Sequence, residues 1–280
     1  MFYLLNHFIQ MKILLNNDDL NEALNTVSNL GFVPTMGSLH KGHISLIKKS
    51  KKKSNKTLVS IFINPKQFNN KKDFQKYPKN KKKDLQILKK LNVDFVYLPS
   101  KKSIYHLKRK NKIKLNKKDK ILCAKFRKGH FEGVIDVMDR LTNIIKPKNI
   151  FMGEKDFQQL FLVKNFIEKK YKSKIISCKT IRKNNKLALS SRNLLLKKDE
   201  LIRAEKLTHN LISFKKKLNK IKDIIKLLNI KKNELNKLYN IDIEYLELRN
   251  MINLKKTNKI KYSKLFIAYY LNKVRLIDNF

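Results

Sequence analysis

Gly31-Phe-Val-Pro-Thr-Met-Gly-Ser-Leu-His-Lys-Gly-His-Ile-Ser-Leu-Ile47 joins two periodicities through a turn. Phe32 and Val33 make an apolar entry, Pro34 and Gly37 interrupt it, and Ile44, Leu46 and Ile47 follow at helical spacing. The stretch therefore reads as strand, tight turn, helix. The first N–H groups of a helix lack internal partners and lie at the positive end of its dipole, so a phosphate can settle where residues 37–43 begin the helix. His40 and His43 stand three apart, on one face of that turn. As neutral imidazoles they can donate to phosphate oxygens, and the dipole disfavours protonating them. The plainer alternative is one surface and one packed histidine.

Working outward, Thr57-Leu-Val-Ser-Ile-Phe-Ile63 is a continuous apolar run, the mark of a parallel strand covered on both faces, and it ends at Asn64-Pro-Lys-Gln-Phe68. Ligands of open parallel sheets bind beyond the carboxyl ends of the strands, which puts Asn64 and Gln67 where chemistry is expected. Asn-Pro is equally an ordinary turn. Upstream, Met11-Lys-Ile-Leu-Leu15 reads as a first strand, followed by a helix over about residues 18–30. Residues 1–10 have neither a basic leader nor a small-residue cleavage site and read as an extension or a misassigned start, not a signal peptide.

Downstream, a helix over 80–92 and a strand over 93–98 precede a Lys-rich stretch, 101–128, expected to wander over the surface. Helical spacing over 131–145 stops at Pro147. A strand over 149–152 then breaks into Gly153-Glu-Lys-Asp-Phe-Gln-Gln159. Asp156 and Gln159 have the spacing of a capping box, while Lys155, at a strand end, can reach a phosphate as a point charge. After a strand over 175–181, Leu187-Ala-Leu-Ser-Ser-Arg-Asn193 offers Ser190 or Ser191 as a cap and Arg192 as a phosphate clamp. The rhythm then changes to a long helical region ending near 240 and three strands, 241–248, 265–271 and 274–278. Alternating strands and helices predict a doubly wound parallel α/β sheet over residues 11–184. The rest predicts a smaller α+β domain over 185–280.

The 280 residues carry 66 Lys and Arg against 22 Asp and Glu, a formal charge of +44. Such a charge suggests nucleic acid or an anionic membrane as a partner. The lysines are spread over nearly every segment and outnumber the arginines, so no specific nucleic-acid partner is expected. No run approaches the about 18 apolar residues of a membrane span, so no membrane partner is expected either. Cys123 and Cys178 have no second cysteine at metal or redox spacing and read as reduced thiols of a cytoplasmic protein.

Taken together, Pro-Thr-Met-Gly-Ser-Leu-His-Lys-Gly-His, Ser-Ile-Phe-Ile-Asn-Pro-Lys-Gln-Phe, Gly-His-Phe-Glu-Gly-Val, Gly-Glu-Lys-Asp-Phe-Gln-Gln-Leu and Leu-Ser-Ser-Arg-Asn resemble the pantoate–β-alanine ligase (pantothenate synthetase) family. The resemblance runs in order from about residue 11 to Arg-Leu-Ile-Asp-Asn279. It implies a Rossmann-like domain with the His-x-Gly-His signature of nucleotidyltransferases, a C-terminal lid and a homodimer. It also implies condensation of pantoate with β-alanine through a pantoyl adenylate, using ATP and Mg2+ and releasing AMP and pyrophosphate. By motif position Met36, Gly37, Ser38, Leu39, His40, Lys41, Gly42 and His43 would line ATP, with His43, His40 and Lys155 catalytic. Gly153, Glu154, Lys155, Asp156, Ile181, Leu189, Ser190, Ser191 and Arg192 would complete the nucleotide site. Gln67, Gln159 and Asn64 would hold pantoate, and Asp84 falls where a carboxylate near Mg2+ is expected. Lys41, Lys128 and Glu132 depart from the family pattern. The competing reading is another His-x-Gly-His adenylyltransferase with a phosphorylated acceptor, for which more arginine would be expected in place of Gln67 and Gln159.

Overall fold

The computed structural model describes residues 11–69, 71–106, 111–218, 221 and 223–280; the expectation for residues 1–10 falls outside them. The apolar runs become six strands among these residues: β1 (Lys12–Leu14), β2 (Leu30–Thr35), β3 (Lys56–Ile61), β4 (Phe95–Tyr97), β5 (Asn149–Gly153) and β6 (Lys174–Cys178). They form one sheet in the order β1-β4-β3-β2-β5-β6. β2 lies parallel to β3 on one side and to β5 on the other, with Phe32 opposite both Leu58 and Ile150. The strand order reverses at β2, so the carboxyl ends of β2 and β5 mark the switch point where such sheets bind ligands.

The sheet is buried on both faces, which is why β3 shows no polar alternation. Val33, Val59, Val96 and Phe151 meet Leu46, Ile47 and Leu88 from the helices Lys41–Lys53 and Lys81–Lys90. Burying each such side chain is worth about 1.5–3 kcal/mol. Gly31 lets β2 approach one of these helices closely, since a Cβ there would fall 2.3 Å from Ser50 Oγ. Helix starts follow ordinary capping: Asn16 accepts from the N–H of Asp18 and Asp19, and Asn80 from that of Lys83. The strand expected over 175–181 is shorter and stops at Cys178.

Contacts divide the chain into two compact units, and not at a single boundary near residue 184. One unit holds the described residues of 1–114, 129–152 and 162–178; the other holds 115–128, 153–161 and 179–280. In the second, β7 (Asp242–Asn250), β8 (Ser263–Leu271) and β9 (Val274–Asn279) form an antiparallel sheet in that order. The helices Lys198–Lys217 and Ile224–Tyr239 cover it, with Leu207, Leu211, Leu228 and Leu235 packed on Ile243, Leu265, Ile267 and Leu271. This is the α+β domain expected from the pattern.

Most described residues of 101–128 are exposed or half-buried, as the lysines suggest, but Ile104, Leu122, Cys123 and Ala124 are buried. Cys123 Sγ lies 3.0 Å from the Tyr245 hydroxyl and accepts from Arg275 at 3.3 Å. Gln158 Nε2 donates to the Ile121 carbonyl at 2.7 Å. Burial pushes the Tyr245 hydroxyl pKa well above its ordinary value. A short apolar run hidden between lysines is enough to bind 115–128 to the second unit. Both cysteines are buried and neither forms a disulfide.

Candidate active site

In the first unit the site grows from the end of β2. The Thr35 hydroxyl donates to the Ser60 carbonyl across to β3 and accepts from the Gly37 N–H. Gly37 and Ser38 then take positive φ, +80° and +52°, turning the chain sharply toward the helix. Glycine is required at 37 twice over: by its left-handed backbone and by space, since a Cβ would lie 3.0 Å from Asp84 Oδ2.

His40 caps the helix Lys41–Lys53 in an unusual way. Its Nδ1 accepts from the Gly42 N–H at 3.1 Å, and the Nδ1 of His43 accepts from the His40 N–H at 3.3 Å. The two rings lie 4.1 Å apart, centroid to centroid. A neutral imidazole that accepts at Nδ1 must carry its proton on Nε2, so backbone donors assign the same tautomer to both histidines. Gly42 makes this possible: a Cβ there would stand 2.7 Å from His40 Cε1. The spacing His-x-Gly-His is thus a steric condition for ring capping.

The expected anion site at residues 37–43 is correspondingly different from a helix end with open N–H groups. Asp84, 2% exposed, accepts from the N–H of Ser38 (2.8 Å) and of Leu39 (2.7 Å), one on each carboxylate oxygen. Asp84 thus pins the left-handed turn, and each carboxylate oxygen keeps a further lone pair, so a single bond to an Mg2+ held otherwise by waters and phosphate oxygens fits this carboxylate.

At the end of β3, Asn64 is both the turn residue and part of the site. Its Oδ1 accepts from the Lys66 N–H and the Tyr105 hydroxyl, while its Nδ2 donates to Gln67 Oε1 and the Gly133 carbonyl. Gln67, 8% exposed, donates to Met36 Sδ at 2.9 Å, which joins the ends of β2 and β3. The helix His130–Ile145 closes in from the side: His130 Nδ1 lies 2.6 Å from the Gln67 carbonyl, and a Cβ on Gly133 would collide with the Lys66 carbonyl at 2.3 Å. The motif Gly-His-Phe-Glu-Gly-Val therefore works as support for Gln67. A glycine inside an amphipathic helix was the signal for such a close approach.

The second unit holds the remaining predicted residues. A 3-10 turn over Glu154–Asp156 runs directly into the helix Phe157–Lys170, in place of the capping box read into Asp156 and Gln159. Lys155 Nζ is 4.0 Å from Asp156 and its side chain is 17% exposed. Gln159 is partly buried one turn along, while its neighbour Gln158 is buried and spent on holding 119–121. The Leu189 N–H donates to the Ile181 carbonyl, so these two predicted residues face each other across a narrow reversal. Ser190 caps the 3-10 turn Ser191–Leu195 by accepting from the Arg192 N–H at 3.3 Å. Ser191 is buried and Arg192 partly so. Among the described residues no helix is long and apolar enough to cross a membrane.

A family model described as pantoate-beta-alanine ligase matches residues 12–280. The pantothenate synthetase of Campylobacter hominis is 39% identical over 274 residues, covering 96% of this chain and 99% of that one. That of Clostridium botulinum is 41% identical over 261 residues, covering 90% and 91%. Among solved structures, pantoate-beta-alanine ligase from Francisella tularensis complexed with beta-gamma ATP and beta-alanine superposes with a TM-score of 0.83 at 38% identity, covering 97% of each chain. Pantothenate synthetase from Thermus thermophilus gives 0.88 at 26% identity, covering 96% of this chain and 99% of that one.

Proposed function

Because the chain belongs to the pantoate-beta-alanine ligase family, we propose that it is an ATP-dependent ligase joining pantoate to β-alanine by an amide bond, forming pantothenate. The reaction is read as two displacements. A carboxylate oxygen of pantoate attacks the α-phosphorus of ATP, the bond to the β-phosphate oxygen breaks, and pyrophosphate leaves with that electron pair. The amine of β-alanine then attacks the carbonyl carbon of pantoyl adenylate, the carbon–oxygen bond to AMP breaks, and the amine proton passes to solvent.

The observation that carries this reading is the His40–His43 pair, whose Nδ1 atoms are both engaged by backbone N–H, which leaves the proton of each ring on Nε2. Two neutral donors at the positive end of a helix suit a step in which two anions must meet and negative charge shifts onto a leaving phosphate. In this scheme residues 36–43, with 153–156, Ile181 and 189–192, bind the nucleotide, and Lys155 supplies positive charge to a phosphate. Gln67 and Gln159 offer uncharged amides to the hydroxyl and carboxylate of pantoate, while Asn64, whose amide is engaged by Lys66, Tyr105, Gln67 and Gly133, holds Gln67 in place. Mg2+ is expected to arrive on the phosphates of ATP, with the Asp84 carboxylate as the protein group near it. The two buried cysteines, neither in a disulfide, support a reducing cytoplasmic setting, and a homodimer is carried over from the family resemblance.

The test is exchange of labelled pyrophosphate into ATP. It should require pantoate and proceed without β-alanine, while AMP release should require all three substrates. Exchange that needs β-alanine would overturn the adenylate route. Absence of turnover with pantoate, alongside turnover with a phosphorylated acceptor, would overturn the substrate assignment.

A further inference from the structure

The 3-10 turn Glu154–Asp156 is also held from the antiparallel sheet. Asn279, at the end of β9 and 3% exposed, sends its side-chain amide to the carbonyl oxygens of both Glu154 and Lys155, each at 2.9 Å. The orientation of that amide is itself determined. Lys264 on β8 donates to Asn279 Oδ1 at 3.0 Å, so the oxygen is taken and the NH2 group must face the two carbonyls. The same lysine reaches the Glu154 carboxylate at 3.4 Å. In sheet register Asn279 stands opposite Phe266, and the Phe266 ring packs edge-on against that of Phe157 at 5.7 Å, just beyond Asp156.

The preceding residue holds a second segment. Asp278 pairs in bidentate fashion with Arg182, at 2.7 and 2.8 Å, and Arg182 also donates to the Asn279 carbonyl at 2.9 Å. Arg182 bridges to Ala188 in the reversal that brings Ile181 to Leu189. Two neighbouring side chains of one strand thus reach two backbone segments far apart in sequence, both of which carry candidate nucleotide-binding residues. Bidentate pairs of this kind fix geometry as well as adding energy.

We infer that Asn279 is a positioning residue for Lys155, and that Asp278, through Arg182, positions the reversal that leads into Ser190 and Arg192. The inference rests on the phosphate role proposed above for Lys155. With both carbonyls of residues 154 and 155 tied to one amide, the Lys155 side chain leaves the backbone from a set position instead of from a mobile strand end. Its charge is thereby preorganised before the nucleotide arrives.

The test is a cycle of variants read on turnover and on ATP affinity by calorimetry. Asn279→Asp keeps the shape and the acceptor for Lys264 but removes both donors. It should lower kcat and weaken ATP binding by about 10- to 100-fold, the scale of an ångström-sized misplacement. In a Lys155→Ala background the same change should have an effect of no more than about twofold, because residues acting through one another are not additive. Should Asn279→Asp fail to fold, Lys264→Met serves in its place; it releases the amide orientation, and a loss of about 3- to 10-fold is expected, again vanishing without Lys155. Equal losses in both backgrounds, or no loss in either, would overturn the positioning role. ATP affinity that is unchanged in Lys155→Ala would overturn it too. A wild-type chain that binds ATP through Lys155 but makes no pantothenate would fail the proposed function while leaving the cycle readable on affinity.

Discussion

Residues 36–43 and residues 153–156 are both proposed to meet phosphate, yet they are built in opposite ways. The first is largely self-supporting: Thr35 bonds Gly37, His40 bonds Gly42, and His43 bonds His40, all within three residues. Remote support comes from Asp84 and from Gln67, which donates to Met36. The second is held from outside, by Asn279 and Lys264 more than a hundred positions along the chain. A site made of local bonds tolerates little change in its own sequence. A site suspended from a neighbouring sheet tolerates change in its own sequence but not in the support.

The contrast can be broken at several points. The largest effect is expected where the two segments are alike, at the groups proposed to face phosphate. His43→Ala and Lys155→Ala should each lower kcat by about 10²–10³, the usual loss on removing one preorganised donor. Thermal unfolding should show both variants near the wild-type midpoint. A folded variant with near-normal turnover would return that residue to a packing role.

Next in size is a glycine change. Gly42→Ala places a Cβ 2.7 Å from the His40 ring. Displacing the ring should lower kcat by about 10- to 100-fold. Steady-state kinetics on the purified protein decide it, and turnover within about twofold of wild type would show that the ring capping does not position the site.

Asp84→Asn sharpens the remote half of the first segment. The amide can accept only one of the two loop N–H groups and turns its NH2 toward the other, a loss on the order of 1–3 kcal/mol. Turnover should fall by about tenfold, since about 1.4 kcal/mol corresponds to that factor. The Mg2+ concentration giving half-maximal rate should rise as well. An unchanged concentration would confine Asp84 to pinning the turn.

The smallest effect concerns charge outside both segments. With the lysines scattered, duplex DNA should bind only at low salt and be lost near physiological salt, as release of a few counterions predicts. Binding that survives physiological salt in a fluorescence titration would mean that the excess lysine of a chain at +44 is a built surface.

The elements that could be read in advance share a property. The strand, turn and helix around Gly37, the continuous run of β3 and the His-x-Gly-His spacing depend on neighbours a few residues away, and periodicity reports such neighbours directly. The burial of Leu122, Cys123 and Ala124 within the Lys-rich stretch 101–128 was not legible, because so short an apolar patch shows no period among lysines. The bonds from the Asp84 oxygens to the N–H groups of Ser38 and Leu39 could not be read in advance, because a residue type says nothing of where its oxygens point.

The sequence by itself determined the order of strands and helices, the two-part architecture, and which contiguous stretches carry the chemistry. Tertiary structure alone decided who supports them. Ser38 and Asp84 are 46 positions apart, and Asn279 and Glu154 are 125 apart. Pairs at such separations meet only after strand order and register are set, and those depend on the packing of the whole sheet. Local hydrogen bonds are written in spacing, while distant ones follow from the fold that the spacing builds.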